Sequence, residues 1–280
     1  MQGRILYRDG LMLVIDKPAG LPVHRGPKGG ASLEDFFDAL RFGLPRPPAL
    51  AHRLDKETSG CLVLGRHRKA LAHLGLLFKH GKVGKTYWAV VEGGPEAEEG
   101  IIELPLGRRD ATRGWWMKPD PKGVPAATTW KVLGRATIVI AGKDDSDIRV
   151  RQGVSPPAGG GSSVRAADRE GVNPTAGGSP HPGAPSAPTL PLQGRVVTWL
   201  ALEPLTGRTH QLRVHCAAMG WPILGDAIYG AAPRFGGPGL HLHAREIVIP
   251  LGKNRAPVRV TAPVPAHMRA AFSTCGYFEG

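Results

Sequence analysis

The chain has 280 residues, with 36 Lys and Arg against 23 Asp and Glu, a formal charge of +13. Its 41% hydrophobic and 21% charged residues suit a globular protein of one large domain or two small ones, and the positive excess calls for a polyanion, either nucleic acid or an anionic membrane surface. No apolar run nears the ~20 residues that cross a bilayer, and the opening MQGRILYRDG has no secretory apolar region, so nucleic acid, no membrane and a cytoplasmic location are the expectations.

Residues 4–16 predict two strands, ILY and LMLVID, around an Asp9-Gly10 turn. KPAGLPVHRG then reads as a Pro/Gly loop. Ser32 with Asp35 resembles a capping box opening a helix over LEDFFDALRFG, stopped at Gly43. CLVLGR (61–66) predicts a buried strand. RKALAHLGLLFKHG (68–81) has helical spacing, with Leu71, Leu74, Leu77 and Phe78 on one face. TYWAVVEG (86–93), TTWKVLG (128–134) and TIVIAG (137–142) predict strands by their aromatic and β-branched content.

Residues 152–193 break the pattern. Sixteen of these 42 residues are Gly or Pro and none is Phe, Tyr or Trp. Such a stretch buries too little apolar surface to offset its chain entropy, so a disordered insertion is expected. RVVTWLALEP (195–204) resumes a strand. THQLRVHCAAMG (209–220) predicts a helix with Leu212, Cys216 and Met219 buried, and LHLHAREIVIPL (240–251) predicts a strand. Strands outnumber helices and do not alternate with them. That predicts an α+β fold: a mixed, mainly antiparallel central sheet with flanking helices and a cleft. The expectation is a single domain over 1–280, acting as a monomer with no obligate protein partner. Cys61, Cys216 and Cys275 are odd in number and form no CxxC pair, which fits a reducing compartment.

Two segments could carry chemistry. In HRLDKETSG (52–60), Asp55 sits between Arg53 and Lys56. It could bridge to either, cap a turn, or be a reacting carboxylate aimed into a cleft; taken alone, the two structural readings are the commoner ones. LTGRTHQLRVH (205–215) places Arg208, His210, Gln211, Arg213 and His215 where a loop enters a helix, a setting that suits an anion. His210, His215, His241 and His243 could suggest zinc, but no acidic or thiolate ligand stands at zinc spacing, so no metal is expected.

These residues resemble the RluA family of pseudouridine synthases. HRLDKETSG resembles its HRLD-x-x-TSG signature, DKPAGLPVH (16–24) its opening motif and KTYWAVVEG (85–93) its K-x-Y-x-A-x-V-x-G segment. LTGRTHQLRVHCAAMGWPILGDAIYG (205–230) resembles its GR-x-HQ-[IL]-R-x-H and GD-x-x-Y block, and LHLHA (240–244) its late strand. The order is the family's order, and the motifs cover most of the chain outside 143–194. The resemblance implies isomerisation of uridine to pseudouridine in RNA, with no cofactor. Asp55 would be the catalytic carboxylate, attacking C1′ or removing a proton from C2′. Arg213 would pair with Asp55. Tyr87 would lie against the base, with or without a part in the final deprotonation, and Leu242 (or Leu240 in another register) would touch the ring. Arg53 would fill the gap left by the extruded base, His52 would contact RNA nearby, and Lys56, Arg66, Lys79, Lys82, Lys85 and Arg208 would meet phosphates. The resemblance is to compact members acting on tRNA or 23S rRNA, so no S4-type module is expected before the first motif. Two other readings compete. A glycoside or nucleoside hydrolase would need a second carboxylate. A non-catalytic RNA-binding or chaperone protein would not need Asp55, Tyr87 and Arg213 together.

Overall fold

Asp9 makes the first turn. Its carboxylate accepts the backbone N–H groups of Leu11 and Met12, both at 2.7 Å, which is how a short acidic side chain closes a turn. The strands on either side, β1 (Ile5–Arg8) and β2 (Met12–Lys17), pair antiparallel. The computed structural model describes residues 1–26, 29–110, 115–140, 148–149, 194–252 and 255–278. The expected insertion at 152–193 lies outside them.

After β2 come β3 (Ala49–Leu50), β4 (Ser59–Gly65), α1 (Arg68–Lys79), β5 (Gly84–Glu92) and β6 (Glu99–Glu103). A small hairpin follows, β7 (Leu106–Arg108) and β8 (Met117–Pro119), then β9 (Ala127–Ile140), β10 (Ile148–Arg149) and β11 (Gly194–Pro204). The chain closes with α2 (Gln211–Ala218), β12 (Leu242–Ile249), β13 (Val258–Thr261) and α3 (Ala266–Thr274). The main sheet runs β1-β2-β4-β12-β5-β11-β9-β10, with β3 beside β4, β13 beside β12 and β6 beside β9. Among the described pairs only β4 with β12 is parallel, so the fold is α+β with a mainly antiparallel sheet, as expected.

The period-two alternation of strands decides which residues face which layer. On β2, Met12 and Val14 pack with Val63, Ile247 and the α1 residue Leu74. Leu13 and Ile15 point the other way, to Leu33, Phe37, Leu40 and Leu54. On β5, Val90 joins Trp199 and the α3 residues Met268 and Phe272, whereas Ala89 and Val91 meet Leu212 and Cys216 of α2. Tyr87 packs against both the Leu33–Leu54 group and the α2 group. It stands at the seam between them.

Gly60 closes the space behind that seam. Its φ of 104° is one that side chains rarely adopt, and a Cβ there would run into the backbone of Ala244. The glycine of the TSG sequence therefore lets β4 approach β12 closely.

Three expectations need correction. The helix over 33–43 is two short 3-10 turns, Leu33–Phe36 and Asp38–Leu40. Asp35 does accept the Ser32 N–H at 2.8 Å, but Phe42 and Gly43 take left-handed φ values of 45° and 83°, leaving too few residues for a stable α-helix. The two strands expected over 128–142 are one, β9, bent at Gly134 where its register against β11 slips. Met219 is 47% exposed; α2 instead buries every residue from Gln211 to Cys216. A helix that buries its polar residues holds them for hydrogen bonding, which a search for an apolar stripe misses.

Candidate active site

Between β3 and β4 the chain is irregular, and its only described internal backbone bond runs from Thr58 N–H to the Asp55 carbonyl at 3.2 Å. This turn aims Asp55 into a cleft of about 810 Å³. His52, Arg53, Tyr87, Arg208, Arg213 and Leu242 line the same cleft. The chain therefore gathers these residues, all singled out from sequence, from positions up to 190 apart. Lys56 does not line it; its ammonium lies 3.5 Å from Glu57 at the surface. Among the described residues neither Arg53 nor Lys56 bridges to Asp55, and no backbone N–H caps its carboxylate. The surface-pair and turn-cap readings of Asp55 have no partner to act on.

The described ionic neighbour of that carboxylate is His210, whose Nε2 lies 3.8 Å from Asp55 Oδ2. His210 is the N-cap of α2 and holds a left-handed φ of 52°. Such a conformation costs a non-glycine residue about 1–2 kcal/mol and is found where the surroundings enforce it. One partner of its side chain is Tyr229, whose hydroxyl accepts the Met117 N–H at 3.0 Å and lies 2.8 Å from His210 Nδ1. When that hydroxyl donates to Nδ1, neutral His210 is the Nε2–H tautomer and turns a donor toward Asp55. Burial lowers the His210 pKa, and the charge of Arg213 acts the same way, while Asp55 opposes it.

Arg213 departs from expectation. Its guanidinium does not pair with Asp55. Nε and Nη2 donate to Asp226 at 2.8 and 2.7 Å, and the two side chains are 5% and 0% exposed. Asp226 also accepts the N–H groups of Ile228 and Tyr229 at 2.9 and 3.0 Å. This prepared acceptor matches the planar fork of an arginine on both edges. Burial works against the Asp226 carboxylate, but the hydrogen bond and charge of Arg213 and the two backbone donors hold its pKa below the usual range. Arg213 still faces the cleft, its guanidinium carbon 5.3 Å from the Tyr229 ring centre, and contributes charge to Asp55 without touching it.

Gln211 fastens the rest of this loop. Its Oε1 accepts from Thr206 and from Arg208 N–H, and its Nε2 donates to the Ala127 carbonyl and to Thr128. Lys17 does the same beneath Asp55. It is fully buried, and its ammonium donates to the carbonyls of Pro18, Leu21 and Lys56 at 2.8, 2.8 and 2.9 Å. Desolvation pulls its pKa down to about 8, against the nearby Glu57, Asp55 and Asp16. The DKPAG loop is thereby pinned to the residue that follows Asp55. Asp226, Tyr229 and Lys17 lie inside motifs quoted from the sequence, but a motif names positions and not partners.

Other expected contacts divide. His52 is no cation for phosphate: its Nε2 accepts the Val63 N–H at 3.0 Å, its ring stacks on Phe78 at 4.4 Å, and burial, then Lys85, pushes its pKa down to about 3. Arg66 turns inward, donating to the carbonyls of Asp9, Arg41 and Phe42. Arg53 is exposed, and Lys79 and Lys85 line the cleft mouth. Leu242, not Leu240, lines the cleft. Tyr87 has its pKa raised by burial and then by Asp55, so its phenol keeps its proton.

Comparison with known proteins agrees with this geometry. A family model described as RNA pseudouridylate synthase matches residues 11–218. An uncharacterized RNA pseudouridine synthase of Zymomonas mobilis is 34% identical over 98% of this chain and 97% of its own. Ribosomal large subunit pseudouridine synthase C of Vibrio cholerae is 28% identical over 96% of this chain and 68% of its own. Among solved structures, human RNA Pseudouridylate Synthase Domain Containing 1 is 25% identical, with a TM-score of 0.60 over 93% of this chain and 83% of its own.

Proposed function

We propose, for a chain that belongs to the RNA pseudouridylate synthase family and is thus an RNA-modifying isomerase, that Asp55 carries the reaction on a uridine of structured tRNA or 23S rRNA. The observation that carries this is the carboxylate of Asp55, which lines a cleft with cationic side chains and has His210 at 3.8 Å as its described ionic neighbour. The N1–C1′ bond of uridine breaks, the uracil turns, C5 bonds to C1′, and the C5 proton is replaced by one on N1. Asp55 acts in its ionised form, either on C1′ or on the C2′ proton. The Nε2–H of His210 and the charge of Arg213 support that form. Tyr87, protonated, offers an aromatic face on which uracil can turn. A phenolate base there would have to overcome both burial and Asp55.

A uridine in a duplex must leave its stack to reach Asp55. Arg53, exposed at the cleft edge, is placed to occupy the vacated space with its planar guanidinium. Arg208, Lys79 and Lys85 suit phosphates, and the net charge of +13 suits RNA over a neutral partner. The ribosomal relative favours 23S rRNA as the first substrate to try. No helix among the described residues is long and apolar enough to cross a membrane. We place the enzyme in the cytoplasm, as a monomer that needs no obligate protein partner and no metal or cofactor. The test is a map of carbodiimide-dependent primer-extension stops across tRNA and rRNA from cells lacking the protein. One or a few stops should vanish and return with the wild-type gene. An unchanged map would overturn the reading.

One catalytic unit accounts for the described residues, with 152–193 interrupting it. β9 and β11 pair along their length from Thr128 with Pro204 to Val139 with Gly194, so the two ends of the interruption are held together without it. Loop length adds closure cost only slowly. Deleting 152–193 should therefore leave turnover within about twofold and the melting temperature within a few degrees. A loss of turnover tenfold or greater on the same RNA would assign the segment a working role.

A further inference from the structure

The β7–β8 hairpin carries two tryptophans for which the proposed reaction has no use. Trp116 is clasped: the guanidinium carbons of Arg109 and Arg234 lie 5.7 and 5.5 Å from its ring centre. Its carbonyl accepts the Arg109 N–H at 2.7 Å, and the next residue, Met117, donates its N–H to Tyr229. The backbone beside Trp115 is thereby fixed.

Trp115 itself is 56% exposed. It meets Trp116 at 5.7 Å and 73°, and His210 at 5.4 Å and 78°. Two near-perpendicular contacts set the plane of the indole and leave more than half of it open. One of those contacts, His210, is the described ionic neighbour of Asp55. An indole held open at that place can take a flat apolar ring. The neighbouring Trp116 ring holds Arg109 and Arg234, and these and Arg108 are exposed, so the ring's carrier is anionic.

We propose that Trp115 is a stacking platform for an unpaired nucleobase adjoining the target uridine, with Arg109 and Arg234 meeting the phosphates beside it. This rests on reading the Asp55 cleft as the uridine site. When the target base is extruded, its neighbour loses a stacking partner. Arg53 fills the gap within the stack, whereas an indole beside His210 can seat an unpaired neighbour that has turned out of it, and every base has a face that fits it.

The probe is a fluorescein-labelled uridine 12-mer. Trp115→Leu keeps apolar bulk without an aromatic face, and Trp115→Phe keeps a smaller face. Trp115→Leu should bind the 12-mer about 5- to 100-fold more weakly, and Trp115→Phe should recover most of that loss, both with wild-type melting curves. In the unmutated protein, the 12-mer should shield part of the tryptophan emission from acrylamide. Equal binding by Trp115→Leu, or no shielding, would overturn the platform. Pseudouridine formation by the wild type on tRNA or rRNA transcripts is read separately. If it occurs while Trp115→Leu binds normally, only the platform fails; if no transcript is converted, the reading beneath it fails.

Discussion

Asp55→Asn is expected to abolish pseudouridine formation, by roughly 10⁴-fold or more, the scale on which enzymes lose rate when an essential reacting group is removed. The amide has the shape of the carboxylate but neither its nucleophilic oxygen nor its basicity. The fold has little need of the charge. Asp55 is 26% exposed, and its only described ionic neighbour is His210 at 3.8 Å. The variant should melt with the wild type and bind the same RNA with similar affinity. Single-turnover conversion of a tRNA or 23S rRNA transcript, beside a filter-binding curve, makes the measurement. Undiminished conversion would remove Asp55 from the chemistry. Conversion lost together with folding would make it a structural residue.

The second large effect belongs to Asp226. Replacing it by Ala leaves the Arg213 guanidinium buried without its bidentate partner, which should cost about 3–5 kcal/mol of stability. Asp226→Asn keeps the shape and part of the bonding, and should cost less. Both should depress turnover, because Arg213 and the Tyr229 N–H would no longer hold the start of α2 in place. The pH dependence has a definite sign. The folded-state pKa of Asp226 lies below its unfolded value, so its stabilisation is complete above about 3.9 and fades as pH falls through the folded value. The gap in melting temperature between wild type and Asp226→Asn should be full at pH 7 and narrow in acid. A variant as stable as wild type at pH 7, or a gap that widens in acid, would show that the pair does not anchor this region.

Much of the architecture was legible in local pattern. An apolar run beside a turn marked β2, aromatic and β-branched content marked β5, alternation marked β12, helical spacing marked α1, and Asp9 marked its turn, because each depends on neighbours a few positions away. The segment over 33–43 was misread because its cap and apolar spacing are genuine helix signals, and only the left-handed Phe42 and Gly43 cut it short. The small elements β6, β7, β8 and β13 carry no signal of their own; they form because a longer strand or hairpin partner is already in place.

The amino-acid sequence by itself determined the reaction family and pointed to residues that line one cleft. Asp55, Tyr87 and Arg213 stand in motifs whose residue types and order are specific, and no coordinates were needed to bring them under suspicion. Only the tertiary structure decided who bonds to whom. Arg213 goes to Asp226 and not to Asp55 because a buried carboxylate with two backbone donors is the better prepared partner for a rigid fork. Asp55 is left to His210, whose other ring nitrogen is held by Tyr229, and the His52 ring stacks on Phe78. Hydrogen bonds are decided by tenths of an ångström between segments far apart in the chain, and burial sets their strength. Neither quantity is encoded in local spacing.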